Sequence, residues 1–412
     1  MVAPKLRFQE FDGDWESKKL KDLTDILKCG VASTPKYVTE GGYPFLSAQN
    51  ISRNGEMNYS KVNNISDDFY KKISKTKLLK GDILYSRVGA SYGVAAIFDR
   101  EEEYGVYVSL THIRVNDTLN NIFLKQFLNS PKARIQAEQG VFQGGGVQNL
   151  NVGVVEEFNL TLPSKQEQTK IASFLSAVDE KISQLTQKHQ LLSQYKQGMM
   201  QKLFSQQLRF KADDGSEFDE WEYYKLGELT TLITKGTTPT SLGGKFENSG
   251  INFIKIESLS SDGKFLLDKF AYIDEVTHNK LARSQLENED ILFSIAGALG
   301  RVAIISNDYL PANTNQALAI IRLRNKNIIR YIYYFLNSDY VKKIIETESV
   351  QLAQANFSLG QLSDLDIVLP CIEEQTKIAN FLSSIDQKIE VVAQQIEQAK
   401  LWKKGLLQQM FV

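Results

Sequence analysis

The sequence predicts an α+β protein of two tandem domains, related by pseudo-twofold symmetry and separated by two long helices that form an antiparallel coiled coil. Three observations predict it. The chain of 412 residues repeats itself at half its length. The best-matched part of each repeat carries a heptad pattern, and the remainder mixes short β-like runs with turn residues. The expected divisions are 1–162 for the first domain, 163–206 for the central helix, 207–369 for the second domain and 370–412 for the distal helix.

Repetition is clearest at Pro163 and Pro370, where 13 of 20 successive positions are identical at an offset of 207 residues. Other landmarks keep nearly that offset: Trp15 with Trp221, Gly30 with Gly236, Asp82 with Asp290, and 127–130 (Phe-Leu-Asn-Ser) with 335–338. Leu6-Arg7-Phe8 returns as Leu208-Arg209-Phe210. Between these landmarks identities are sparse. Two copies held alike in one segment and different in another suggest one frame carrying two different readers.

Ser164 and Glu167 form an S-x-x-E capping box, so a long helix is expected from there. Ile171, Val178, Leu185, Leu192 and Met199 then fall at d, and Leu175, Ile182 and Leu203 at a. The second copy places Ile378, Ile385, Val392, Ala399 and Leu406 at d, and Leu382, Ile389, Ile396 and Met410 at a. Each helix spans about 60 Å at ~1.5 Å per residue. A narrow seam gains little alone, so each helix is expected to partner the other. Lys196 and Lys403 occupy equivalent a positions, where either a polar residue fixes register at some cost in stability or the seam ends, with Tyr195 and Trp402 available to take over the burial while the lysines snorkel outward. Gly198 and Gly405 mark either a close helix approach or the helix end. With the helices antiparallel, residue 412 should lie near residue 6, making the fold nearly circular.

Before each helix the short runs 43–46, 82–86 and 94–98, then 251–254, 290–294 and 302–305, read as strands. A helix is expected near 121–138 and near 327–346, with Phe123, Phe127, Tyr331 and Phe335 as core. The loops between are rich in Gly, Ser, Thr, Asn and Gln. Amides and arginines can read base edges, while hydroxyls and lysines hold phosphates. On that chemistry the DNA-contact candidates in the first domain are Thr34, Lys36, Ser47, Gln49, Asn50, Arg53, Lys72, Lys75, Arg87, Tyr92, Gln143, Gln148 and Asn149. In the second they are Thr238, Thr240, Lys255, Glu257, Ser258, Arg301, Asn315, Gln316, Gln354 and Asn356.

A net charge of −1 argues against a broadly basic nucleic-acid surface. A local one is available in Lys71, Lys72, Lys75, Lys77 and Lys80, a run with no acid inside it. Cys29 and Cys371 have no CxxC spacing, and with three scattered histidines they argue against a structural zinc site. No apolar stretch is long enough to span a bilayer, and residues 1–8 lack the apolar core of a signal peptide, so a cytoplasmic location is expected.

The doubled Trp-Glu opening, Thr-Pro, Gly81-Asp82-Ile83-Leu84, and the closing Leu162-Pro163…Glu167-Gln168…Ile171…Leu175, repeated at Leu369-Pro370…Glu374-Gln375…Ile378…Leu382, resemble Type I restriction-modification specificity subunits over essentially the full chain. The resemblance implies two target-recognition domains, each reading half of a split double-stranded DNA target, on helices that dock two methyltransferase subunits, with restriction subunits added for cleavage. It also implies that this chain is no enzyme and binds no cofactor itself. S-adenosylmethionine then belongs to the methyltransferase, and ATP and Mg to the restriction subunit. Glu289-Asp290 departs from Gly81-Asp82 and puts that turn's geometry in question. Two alternatives stand beside this reading: a self-contained DNA methyltransferase, for which no [DN]PP[FY] tetrapeptide or methyl-donor glycine motif is found, and a coiled-coil scaffold, which leaves the polar loops idle.

Overall fold

The computed structural model describes residues 4–33, 35–73, 77–139, 149–350 and 356–411. The chain divides into two compact units, one of residues 1–187 with 392–412, the other of 188–391. The first is discontinuous in sequence and the second continuous, but both have the same content: one whole α+β segment, the beginning of the long helix that follows it, and the end of the other long helix.

In the first unit an antiparallel sheet runs in the order Thr24–Cys29, Leu110–Val115, Ile83–Ser86, Ala95–Ile97. A second sheet orders Tyr37–Val38, Asn63–Ile65, Tyr43–Leu46 and Gly105–Val106. Glu16–Lys19 pairs with Asn159–Leu162, closing the segment's start against its end. The second unit repeats the plan: Thr230–Lys235, Leu318–Leu323, Ile291–Ser294 and Val302–Ile304 form one sheet, and Glu222–Lys225 pairs with Asp366–Leu369. Its other sheet has three strands, Ala271–Ile273, Ile251–Ile254 and Ala312–Thr314. Even the irregularity recurs, with register shifts at Thr24/Ile26 and Thr230/Leu232.

The expected helices at 121–138 and 327–346 are each broken in two. Asn121–Leu128 is followed by Pro131–Gln139, and Ile329–Leu336 by Asp339–Val350. The repeated Asn-Ser pair is the reason: the asparagine ends one helix, and the hydroxyls of Ser130 and Ser338 accept from Ala133 N and Val341 N to start the next. Pro131 also disfavours helix at the residue before it. Phe123, Phe127, Tyr331 and Phe335 are core, each no more than 1% exposed.

Asp82 and Asp290 staple the strand that follows them. Asp82 accepts from Leu79 N at 2.7 Å, from both Nε and Nη2 of Arg114, and pairs with His112 Nε2 at 2.7 Å. Burial pushes its pKa up, but the bonds from His112, Arg114 and the Leu79 amide outweigh that and hold the carboxyl below its ordinary range. Asp290 repeats the staple with Glu287 N and the fork of Arg322. The turn in question before it is preserved: Glu289 takes φ +68°, as Gly81 takes +95°. A side chain there bears the left-handed penalty of roughly 1 kcal/mol that glycine avoids.

The long helices are Lys165–Phe204 and Ile372–Met410. Within the first unit Ile171, Leu175 and Val178 share one core with Leu406, Leu407, Met410 and Phe411. Phe174 stands edge-on to Trp402 at 6.1 Å, and Lys403 pairs with Asp179. Rising numbers on one segment meet falling numbers on the other, so they run antiparallel. Within the second unit Met200 and Leu203 join Ile378, Leu382 and Ile385, and Lys196 meets Asp386 at 2.6 Å. The helix starts are clamped alike. The Ser164 hydroxyl accepts from Glu167 N as a cap, but the Glu167 carboxylate turns away to take the fork of Arg7 (2.7 and 2.8 Å) and Trp15 Nε1. Glu374 does the same with Arg209 and Trp221.

Of the alternatives for the seam lysines, outward snorkelling is the one the structure does not show. Lys196 and Lys403 turn inward to aspartates, while Tyr195 and Trp402 are about half exposed, at 50% and 54%. A carboxylate on the facing segment makes the ammonium the better seam residue. Asp179 also accepts from Gln126 at 2.7 Å, and Asp386 from Tyr334 Oη at 2.8 Å, so each aspartate ties the seam to a domain helix. Leu6 N donates to Gln409 O at 3.1 Å, as Leu208 N does to Lys202 O at 3.1 Å. The chain's two ends in the first unit thus meet as a continuous turn does in the second. The acidic stretch 213–220 is not contact-free: Lys377 bonds Asp213 and the Lys211 carbonyl, and Arg209 bonds the Phe218 and Asp219 carbonyls. Its tip at Asp214, Gly215 and Ser216 is exposed.

Gly198 and Gly405 mark neither a close approach nor a helix end, since both lie inside helix and a Cβ on either would meet nothing within 4 Å. Gly198→Ala and Gly405→Ala should therefore each stabilise by about 1 kcal/mol, read as a higher melting temperature; a decrease would mean that the space is needed. Joining residue 411 to residue 6 and reopening between Gly215 and Ser216 should leave the circular-dichroism spectrum and cooperative melting intact, and non-cooperative melting would contradict the near-circular arrangement of the termini.

Candidate nucleic-acid interface

Hydrogen bonds to the backbone gather five loops of the first unit at one place. Val31 N donates to Val106 O, and Val108 N to Val31 O. Ala48 N donates to Ser109 Oγ and Ser91 Oγ to Ala48 O, both at 3.0 Å. Arg87 N reaches Ser109 O, and Leu150 N reaches Arg87 O. Gly30 permits the closest approach, because a Cβ there would sit 2.3 Å from the carbonyl oxygens of Val106 and Tyr107. The helix Asp67–Ile73 borders the cluster across a cavity of about 200 Å3 lined by Tyr70, Ile73, His112 and 28–31.

The second unit repeats this gathering with other side chains. Thr237 N donates to Thr314 O, Ile295 N to Ala317 O, and Phe357 N to Ile295 O. Thr314 Oγ1 donates to Ile254 O, and Thr238 Oγ1 bonds the Gln316 side chain. Gly236 occupies the place of Gly30, with the Thr314 carbonyl oxygen 2.0 Å from where its Cβ would be.

Candidates from the sequence separate into three groups. Thr34, Lys75, Gln143, Gln148 and Gln354 lie outside the described residues. Asn50, Arg87, Tyr92 and Ser258 are buried, and their polar atoms serve the loops themselves. Asn50 bonds the Ser47 amide and the carbonyls of Asn58 and Lys61. Arg87 bonds the Leu150 and Val108 carbonyls, Tyr92 the Ala137 carbonyl, and Ser258 the Lys269 carbonyl. Arg301 is half-buried on the Ile256 and Leu259 carbonyls. Lys36, Gln49, Asn149, Thr240, Glu257, Gln316 and Asn356 are exposed, while Ser47, Thr238, Lys255 and Asn315 are partly so.

Arg53 is exposed but sits apart, in a hairpin whose Gly55 lies against Ala95 and Asn129. Lys72 is exposed on the bordering helix. The basic run is less bare than its sequence, since Lys77 pairs with Glu103 and Lys80 with Glu101 at 2.9 Å, acids some twenty residues further on. Arg283, absent from the candidates, is exposed with its guanidinium on Thr237 Oγ1 at 2.9 Å. Its signal in the sequence was positional: it stands 208 residues after Lys75.

Among the described residues no group of His, Cys, Asp and Glu is arranged to hold a metal ion, and no helix is long and apolar enough to cross a membrane. The arrangement offers amides, hydroxyls and cations on a rigid backbone, which suits recognition by hydrogen bonding.

The profile of the family described as the Type I restriction modification DNA specificity domain matches residues 12–194 and again 218–401. A putative type I restriction enzyme MjaX specificity subunit from Methanocaldococcus jannaschii is 26% identical over 98% of this chain and 94% of its own length. The EcoBI specificity subunit of Escherichia coli is 24% identical over 61% of this chain and 56% of its own. The crystal structure of a Type-I restriction-modification system S subunit from M. genitalium covers 100% of this chain and 99% of that one with a TM-score of 0.59 at 18% identity, a likeness of fold.

Gly236→Ala should separate 236–238 from 314–316 and destabilise the second unit by roughly 2 kcal/mol or more. Hydrogen exchange should show lost protection at Thr237 N. Unchanged protection would mean that the close approach is dispensable.

Proposed function

Since the chain belongs to the family of Type I restriction modification DNA specificity domains, carrying that domain twice, we propose that each unit reads one half of a bipartite duplex target. The chain is a specificity subunit of a Type I restriction-modification system, the DNA-binding part of a complex with partner subunits. The observation that carries the finer reading is the pair of loop clusters: the same backbone gathering occurs in both units, and the exposed side chains differ between them. Base edges are distinguished by such amides and guanidiniums in the major groove, while phosphate contacts from residues such as Lys72 supply salt-dependent affinity without sequence information. Lys77 and Lys80 can join them, because exposed ion pairs of the kind they make are worth at most about 1 kcal/mol and exchange readily for phosphate.

Chemistry belongs to the partners in this reading: two methyltransferase subunits using S-adenosylmethionine, and restriction subunits using ATP and Mg. The long helices, alike in both repeats, are the shared surface for identical partners. Two consequences are testable together. The purified chain should transfer no methyl group from labelled S-adenosylmethionine.

Exchanging the first reader for a relative's should change one half of the methylated target and leave the other. The exchange must span 1–162 and keep Phe123 and Phe127 compatible with Phe411, because Glu16–Lys19 needs its strand partner and the helix end packs on those rings. Methylation mapping of the host genome reads the outcome. A change in both halves contradicts independent reading.

A further inference from the structure

We propose that Arg283 is a sequence-reading residue of the second unit and that it specifies a guanine in that unit's half of the target, an assignment that rests on the reading of the chain as a DNA specificity subunit. Three observations converge on it. The first is where its guanidinium is spent. Arg209 and Arg322 of the same unit lie on carboxylates, Arg301 is used on backbone carbonyls, and Arg330 reaches the Ser383 hydroxyl on the long helix, away from the loops. Arg283 is exposed and gives one N–H to a neutral hydroxyl, Thr237 Oγ1 at 2.9 Å, which orients the planar group without neutralising it.

The second observation is the rigidity beneath it. Ala282–Ser284 forms a single turn in which Ser284 is fully buried and donates to Leu281 O at 2.9 Å. Asn313, also fully buried, donates to Leu281 O and Ser284 Oγ at 3.2 Å each and meets His278 Nδ1 with its oxygen. Thr237 is fixed from the other side by its amide on Thr314 O, with Gly236 allowing that contact. The arginine's root and the hydroxyl that aims its tip are thus both anchored in the core, which is the preorganisation that discrimination between bases demands.

The third is its company. Thr238 and Gln316, joined side chain to side chain, lie next along the same loops, so the guanidinium belongs to the loop cluster itself. An arginine with its fork held in plane matches the O6 and N7 acceptors of guanine in the major groove, and no other base pair offers that pair of acceptors. At the equivalent position the first repeat has Lys75, a point charge without a fork. The two repeats therefore differ in chemistry at one position of the sequence.

The test uses the chain assembled with its methyltransferase partner and a library of duplexes randomised in both half-sites, selected by binding and sequenced. Wild type should select two fixed half-sites. R283A should lose preference at one G·C pair of one half-site, leave the other half-site unchanged, and bind the wild-type target roughly 10- to 100-fold more weakly. R283K should retain the salt slope but not the guanine preference. Thr237→Val, which keeps the shape and removes the hydroxyl, should relax the same position to a smaller degree. Melting temperatures of all variants should match wild type, because the guanidinium is exposed.

If R283A weakens all duplexes equally and flattens the salt slope by about one unit, Arg283 is a phosphate contact and the proposal is overturned. An unchanged selection profile overturns it too. A wild-type complex that selects no sequence removes the DNA-specificity reading itself, an outcome distinct from failure of Arg283 alone.

Discussion

Neither α+β segment completes its core without the end of a long helix that lies outside it. The first depends on Leu406, Leu407, Met410 and Phe411 at the far end of the chain, and Phe411 packs on Phe123 and Phe127 at 5.2 and 5.8 Å. The second depends on Met200, Leu203 and Phe204, with Phe204 at 5.7 and 5.5 Å from Tyr331 and Phe335. Burial of a large apolar side chain contributes about 1.5–3 kcal/mol, so these helix ends are a large share of a marginal stability. Lys403 with Asp179, and Lys196 with Asp386, set the register of the segments and link it to Gln126 and Tyr334 of the domain helices. Burial lowers the Lys403 pKa even against the raising effect of Asp179, the mark of an ammonium drawn well into the seam.

A clamp at the other end of each helix complements the seam. Glu167 and Glu374 are buried carboxylates, each holding a bidentate arginine and an indole N–H, and each arginine also bonds at least one carbonyl of the segment leading into its domain. Breaking one partner of such a group is costlier than never having formed it. The loops are therefore carried on segments whose beginning, end and supporting helix are all tied down, which suits a reader that must not deform on encounter.

Most of this frame was legible because it is written in periodicity. Apolar residues spaced 3.5 apart define the seam wherever they occur, and the doubled Pro-to-Ile block made the second helix predictable from the first. Legibility ended where a single residue has two uses. Glu167 has the spacing of a capping box, but its carboxylate serves Arg7 and Trp15; Tyr195 and Trp402 look like seam residues, but facing aspartates draw the lysines in instead. The break at Asn129-Ser130 hid inside an otherwise helical pattern. Glu289, a residue disfavoured at positive φ, keeps its turn because Asp290 and Arg322 hold the strand that follows.

The loops were harder to read than the frame. Polar composition picks out the loops as a class, but it cannot separate Asn50 and Ser258, which hold loops from within, from Gln49 and Glu257 beside them, which face outward. That distinction arises from long-range hydrogen bonds, to which local composition is blind. The most direct measurement of the account is hydrogen exchange on a chain truncated after Val391. The account predicts lost protection at Phe123, Phe127 and 171–178 with protection retained through 222–369. Native protection in the first unit without its distal helix end would contradict it.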